Sequence, residues 1–418
     1  MSEQKLKVLI VSQYFWPENM RINDLAEGLV QRGHEVTVLT GWPNYPEGHV
    51  FEEYRRSPEQ YAEYRGAEIV RVPFITRGKR SITLALNYVS FFVSGSVWGS
   101  WKLRGRKFDA IFVYAVSPIM SAIPALVIGK FKKTPVFIWV LYFLFYTLMV
   151  VGVLGNERLL ALVGKGVSWI YNRADYLLIQ SQAFTNSVKR YCTRAMPPER
   201  LIYFPSWAED GFSDLPAQVS VLLEADPLVF TVLFAGNLGD AQDFPAILDV
   251  AETLRGEMAI RWVIVGDGRM SEWLEQQVRE RQLDNVLLLG RHPLDAMPAL
   301  FATVDALLVS LKTNEVFEKT IPGKVQAYLA SGKPILGMLD GEAARVIDEA
   351  GAGLTCSSGD RQAFSSIVEK MALMSPLQRA GMSGLGKRYY EEHFSKEKLF
   401  SNLVRLFSQA TRRDDKSC

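Results

Sequence analysis

The feature that most constrains this chain is a repeated alternation. Short runs of β-branched and aromatic residues, too short for helices, are separated by longer amphipathic stretches. Runs at 7–12, 35–40, 68–73, 110–114, 136–141 and 176–180 are apolar nearly throughout, as strands buried on both faces of a parallel sheet are. A polar loop, Gln13 to Arg21, follows the first run, and a helix is expected from about 23 to 32 with Gly33 at its stop position. The pattern breaks at Tyr203-Phe204-Pro205-Ser206-Trp207 and resumes with runs at 229–234, 262–265, 286–289, 306–309 and 334–337. The expected fold class is therefore α/β, with two Rossmann-like doubly wound domains. A chain of 418 residues suffices for two cores of this kind. The expected division is 1–210, then 211–390, then a helix and polar tail over 391–418 that crosses back to the first domain.

Composition narrows the setting. Three cysteines, Cys192, Cys356 and Cys418, are too few and too scattered for a disulfide framework or a zinc site. The polar start, Met1 to Lys5, runs straight into a strand and carries no signal-peptide pattern; a cytoplasmic protein is expected. The net charge of +2 conceals an asymmetry, since residues 1–210 hold 25 Lys and Arg against 17 Asp and Glu, and the rest 22 against 28. Within 77–133 lie ten basic residues and one acid, Asp109. Threaded through them is an apolar stretch, 84–101, with Tyr88, Phe91, Phe92, Trp98 and Trp101. Basic flanks with aromatic faces suit an anionic membrane surface; the competing reading is a buried helix with solvated ends. Residues 135–155 carry no charge and meet the length of a membrane span, yet their first six fit the strand due at that point. Peripheral attachment at a membrane's inner face is the expectation.

In doubly wound sheets ligands sit beyond the carboxyl ends of the strands, so the loops there are where chemistry is sought. Phe234-Ala235-Gly236-Asn237-Leu238-Gly239 empties a strand into a glycine turn before a helix near Asp243. Glycine there lets backbone N–H groups approach a phosphate. Val265-Gly266-Asp267-Gly268 ends another strand on the same edge. The third element runs from Lys312 through Glu318, Thr320, Pro322, Gly323 and Lys324 to Pro334. It opens a helix whose free N–H groups, dipole and lysine favour an anion such as a diphosphate. Alone, the first turn is also explained by glycine used for steric reasons, the second is more often structural, and the third also reads as a capped helix with solvated lysines.

Taken together, these residues resemble family-4 retaining glycosyltransferases of the GT-B fold, in the bacterial branch that builds O-antigen and exopolysaccharide. The stretches that carry the resemblance are Gln13 to Asp24, Gly33 to Pro46, the Gly236–Gly239 turn and Phe317 to Pro334. The resemblance implies a cleft between the domains and a nucleoside-diphosphate sugar, with UDP favoured, as donor substrate in place of a cofactor. It implies a polyprenyl-diphosphate-linked saccharide as acceptor; nucleic acid is not among the expected partners. Of two carboxylates that the family sets eight positions apart, the first falls on Glu318, for the sugar hydroxyls. The second falls on Gln326, where an amide would face the ribose. An Arg and a Lys that many relatives carry after the glycine turn become Asn237 and Gln242, which shifts charge neutralisation to Lys324, with Lys312 or Lys319. Relatives follow the strand at 136–141 with Asp-Leu-Trp-Pro-Glu, whereas this chain has Tyr142-Phe143-Leu144-Phe145-Tyr146, without either acid.

The expected catalytic residues are Glu318 and Lys324. Donor contacts are expected from Gly236, Asn237, Leu238, Gly239, Gln242, Gly266, His292, Lys312, Thr320, Pro322, Gly323 and Gln326. Glu18, Asn19, Arg21, Tyr142 and Tyr146 are assigned to the acceptor side. Retaining transfer in the family is described as front-face attack without a protein nucleophile. The four histidines form no metal-spaced set and no Asp-x-Asp occurs, so metal independence is expected. Two other readings stay open: a donor-binding protein that has lost turnover through the Tyr142–Tyr146 change, and a nucleotide-sugar epimerase of the same architecture.

Overall fold

A computed structural model of the chain describes residues 4–78, 81–116, 118–141, 157–193, 197–213, 223–256 and 258–415. Lys79, Arg80, Tyr142, Tyr146 and most of the uncharged run at 135–155 lie outside the described residues. The chain divides into two compact units, Met1–Phe204 with Leu399–Cys418, and Pro205–Lys398.

The first unit is built on an eight-stranded sheet, β1 (Lys7–Val11), β2 (Glu35–Gly41), β3 (Glu63–Tyr64), β4 (Ala67–Val72), β5 (Ala110–Ala115), β6 (Val136–Val140), β7 (Tyr176–Ile179) and β8 (Leu201–Tyr203). Its order is β3-β4-β2-β1-β5-β6-β7-β8, parallel except for the short β3–β4 hairpin. The order reverses at β1, which pairs with β2 on one side and β5 on the other. All six residues of β5 and all five of β6 are buried, which is why those segments read as continuous apolar runs rather than alternating ones. Helix α1 (Arg21–Gln31) starts two residues before its expected position and stops at Gly33, which takes φ 85°. The C-terminal helix, Lys396–Asp415, packs from Leu399 onward on this sheet: Phe407 lies edge-on to Phe112 and Phe137, and Thr411 donates to the Asp109 carbonyl.

The stretch at 84–101 belongs to a helix that runs over Ser81–Ser94, widens into a π-turn at Gly95–Gly99 and ends at Lys102. Gly95 and Gly99 leave no room for a side chain, since a Cβ at either would press on Pro124 or Leu39 at 2.8 Å. The helix therefore lies close on the sheet by that side, with Asn87 and Phe91 buried. Its other side is exposed, so the reading as a buried helix fails. Among the described residues it is the one helix long and apolar enough to cross a membrane, and most of it is on the surface.

The second unit has a six-stranded, wholly parallel sheet: β9 (Phe230–Ala235), β10 (Ile260–Val265), β11 (Val286–Gly290), β12 (Ala306–Ser310), β13 (Ile335–Met338) and β14 (Gly353–Cys356), in the order β11-β10-β9-β12-β13-β14. The chain reverses direction of winding between β9 and β12, the point at which such sheets open a crevice.

Candidate functional site

The crevice is present and belongs to the second unit alone. A cavity of about 840 Å³ lies at the carboxyl ends of β9, β10 and β11. Its floor is two glycine turns knitted together by their backbones. Gly236 N–H donates to the Val265 carbonyl at 2.9 Å, Leu238 N–H to the Asp267 carbonyl at 2.9 Å, and Met270 N–H to the Leu238 carbonyl at 2.9 Å. Gly236 and Gly266 take φ 139° and 146°, conformations that L side chains rarely adopt. A Cβ on Gly266 would overlap the Gly236 carbonyl oxygen, and one on Gly268 would overlap that of Leu238. These glycines are required by the close approach of two backbones, which leaves main chain rather than side chains facing the cavity.

The helix Gly323–Ser331 begins on the same wall, capped at Pro322 without any side-chain hydrogen bond. Its first N–H groups are thus free to meet an anion. From its first turn Lys324 reaches back across Gly236, where a Cβ would lie 2.5 Å from its Cε and 2.8 Å from its Nζ. The ammonium rests 3.6 Å from the centre of the Phe234 ring. Desolvation by the surrounding atoms pulls its pKa down to about 7; among the described residues it forms no ion pair, although Glu209 and Asp267 also line the cavity. Arg291 and His292, just past the end of β11, also line the cavity, with His292 Nε2 3.0 Å from the Leu289 carbonyl. Met297, Phe301, Ala327 and Tyr328 supply the apolar side. Two cations, an apolar shelf and a backbone floor make a place for a flat apolar group joined to phosphates.

Of the residues expected from sequence to meet a donor, Gly236, Asn237, Gly266, His292, Gly323 and Lys324 line the cavity. Leu238, Gly239, Gln242, Lys312, Glu318, Thr320, Pro322 and Gln326 are not among its lining residues. Gln242 is engaged within the turn, accepting from Gly239 N–H at 3.0 Å. Thr320 caps the short helix Glu315–Lys319 through the carbonyls of Val316 and Phe317, and Lys319 pairs with Glu315 at 2.6 Å. Glu318 sits in that helix with its backbone against Gly341. Gln326 is 1% exposed and points into the core with Oε1 lacking a partner. The next position, Ala327, is the one on the wall, because one residue turns a helix by about 100°. Arg291, Asp267 and Tyr328 were not singled out from sequence; the signal for Arg291 was its place after Gly290, beside His292.

On the first unit Glu18 is not presented to solvent. It is 3% exposed, and its Oε1 accepts from the N–H groups of Asn44 and Tyr45, both at 2.8 Å, while Oε2 accepts from Phe15 N–H at 3.0 Å. Burial raises its pKa against those three bonds. Glu18 is thus a clamp between the loops after β1 and β2, and the expected acceptor contact is corrected to a structural one. Buried Arg71 braces the same loops through the Gly41 and Trp16 carbonyls, at 2.8 and 2.5 Å. Asn19 is exposed and Arg21 lies 3.8 Å from Asp24. Among the described residues no group of three or more His, Cys, Asp or Glu is placed to hold a metal ion.

Comparison with known proteins supplies a family. Residues 19–207 match the model described as "Glycosyl transferase 4-like domain", and residues 229–373 match "Glycosyl transferases group 1". WcaI of Escherichia coli strain K12, named as a glycosyl transferase of colanic acid biosynthesis, is 25% identical over 345 residues, 78% of this chain and 82% of that protein. HepE of Anabaena, solved in complex with UDP, shares the fold at a TM-score of 0.66 with 14% identity, over 97% of this chain and 100% of that one. WaaG, a glycosyltransferase of lipopolysaccharide biosynthesis, does so at 0.62 with 13% identity, over 96% and 99%.

Proposed function

Because this chain belongs to the family-4 glycosyltransferases of the GT-B fold, we propose that it moves a sugar, with retention, from a UDP donor to a lipid-linked saccharide in surface-polysaccharide synthesis. The observation that carries the reading is Lys324: a desolvated ammonium that forms no ion pair among the described residues, held over Gly236 where two glycine turns meet a helix N-terminus. A diphosphate there would gain Lys324 and the free amides of the helix start, both in place before it arrives, and the guanidinium of Arg291, which also lines the cavity. UDP is favoured because HepE is described with UDP and with UDP-glucose, and because the apolar wall suits a base.

In the reaction the bond between the anomeric carbon and the diphosphate oxygen breaks, and its electron pair leaves on the diphosphate. The acceptor hydroxyl oxygen bonds to the same face of that carbon and its proton passes to the departing phosphate oxygen. Lys324 stabilises the charge that grows on the leaving group, a role that carries about 10²–10³ in rate for one well-placed donor. No metal is assigned to this step, so excess chelator is expected to leave the rate unchanged. Transfer occurs at the inner face of a membrane, where the acceptor lipid resides and where the basic, aromatic surface of the first unit suits anionic headgroups.

The test is calorimetric titration of UDP into the wild type and Lys324→Ala. A loss of about 10–100-fold in affinity is expected for one charge-assisted contact; an unchanged affinity overturns the reading. A transfer assay with a panel of nucleotide sugars and a polyprenyl-diphosphate saccharide, run beside Tyr142→Asp with Tyr146→Glu, then settles whether the wild type turns over.

A further inference from the structure

The cavity of the second unit carries one more group with a fixed chemistry. His292 lines it from the loop after β11 and is half-buried. That loop is held on both sides of the histidine. Gly290 takes φ 68°, and its carbonyl accepts from Gly266 N–H at 2.8 Å, which joins the loop to the glycine turns. Pro293, whose ring holds φ at −66°, then leads into the 3₁₀ turn Leu294–Ala296. Leu294 and Met297, from that turn and from the helix Met297–Ala302 behind it, also line the cavity.

A carbonyl oxygen only accepts, so the 3.0 Å contact between His292 Nε2 and the Leu289 carbonyl places the ring proton on Nε2. In the neutral imidazole Nδ1 then carries a lone pair and no hydrogen. Among the described residues Nδ1 has no hydrogen-bond partner. His292 is therefore an acceptor whose orientation is set by the backbone before any ligand arrives.

A fixed acceptor tells flat polar rings apart by what they present to it. Uracil offers N3–H, a donor. Cytosine has a bare N3 at the same position, so two lone pairs would face each other. With water displaced, both would stay unpaired, which costs more than the missing bond alone. The other polar groups of the site do not make this distinction. Arg291 offers only donors, which suit the O2 that both bases carry, and Lys324 and the amides of the helix start meet phosphates that both nucleotides share.

We infer that His292 selects the base of the donor, accepting through Nδ1 from the N3–H of a uracil and so favouring a uridine over a cytidine diphosphate. The inference rests on the donor reading above and names the group by which that site tells one pyrimidine from the other.

UDP and CDP differ only at N3 and C4 of the base, and UDP methylated at N3 keeps O4 but lacks the N–H. All three are titrated calorimetrically into the wild type and His292→Ala. The wild type is expected to bind UDP about 10–100-fold more tightly than CDP, and the methylated nucleotide no better than CDP. In His292→Ala the preference is expected to fall below about threefold through loss of UDP affinity, with CDP affinity kept, which shows the cavity intact. Equal binding of UDP and CDP by the wild type overturns the inference, as does tight binding of the methylated nucleotide or a preference that survives in His292→Ala. A chain that binds none of the three defeats the donor reading itself, whereas one that binds UDP without preference defeats only the role of His292.

Discussion

The two units use the same edge of the same kind of sheet in opposite ways. In the second, glycines strip the strand ends of side chains, so main chain and one desolvated lysine face an open cavity. In the first, the loops after β1 and β2 are tied shut around Glu18, which spends its carboxylate on three backbone N–H groups, and the surface beside them is apolar. The difference teaches how a doubly wound sheet is specialised: by whether its buried charge is spent inside the unit or left unspent for a ligand.

The comparison breaks most severely at Gly266. Gly266→Ala puts a methyl into the Gly236 carbonyl at a φ that alanine resists, so a loss of about 3 kcal/mol or more is expected in chemical denaturation, with UDP binding gone. Glu18→Gln is expected to cost about 2–3 kcal/mol, because an amide N–H₂ must face a backbone N–H it cannot accept from. In contrast to the glycine change, UDP affinity should then be unaffected; a loss there would mean that the two edges are not specialised as described.

A milder probe is pH. With Lys324 titrating at about 7 in the free protein, and its pKa raised once an anion is bound, binding takes up a proton at higher pH. UDP affinity should be flat below about pH 7 and fall by up to about tenfold per unit above it, measured by titration in several buffers; Lys324→Arg should show no such fall. The smallest effect is expected for Gln326→Leu, which removes a buried Oε1 without a partner. Stability should hold or rise by about 1 kcal/mol with UDP affinity unchanged. A marked loss of affinity would instead restore the expected ribose contact.

Strands buried on both faces were legible because burial leaves no room for polar residues, as in β5, β6 and β9. The edge strands β3, β8 and β14 were not read: they are short and only half buried, so their residues lack an apolar signature. At the site, Gly236, Gly266 and Lys324 were found because glycine at a strand end and lysine at a helix start are local signals. Gln326 was placed one residue off the wall Ala327 occupies, since which side of a helix meets a cavity is set by what packs behind it.

By itself, then, the amino-acid sequence determined the alternation of elements, the two parallel sheets and the turns where main chain can approach a ligand. All of these follow from local backbone freedom and from the period of apolar residues. Only the tertiary structure decided which charges are spent. Glu18 became a clamp and Lys324 a desolvated, waiting cation because solvation and pairing depend on atoms brought together from distant parts of the chain.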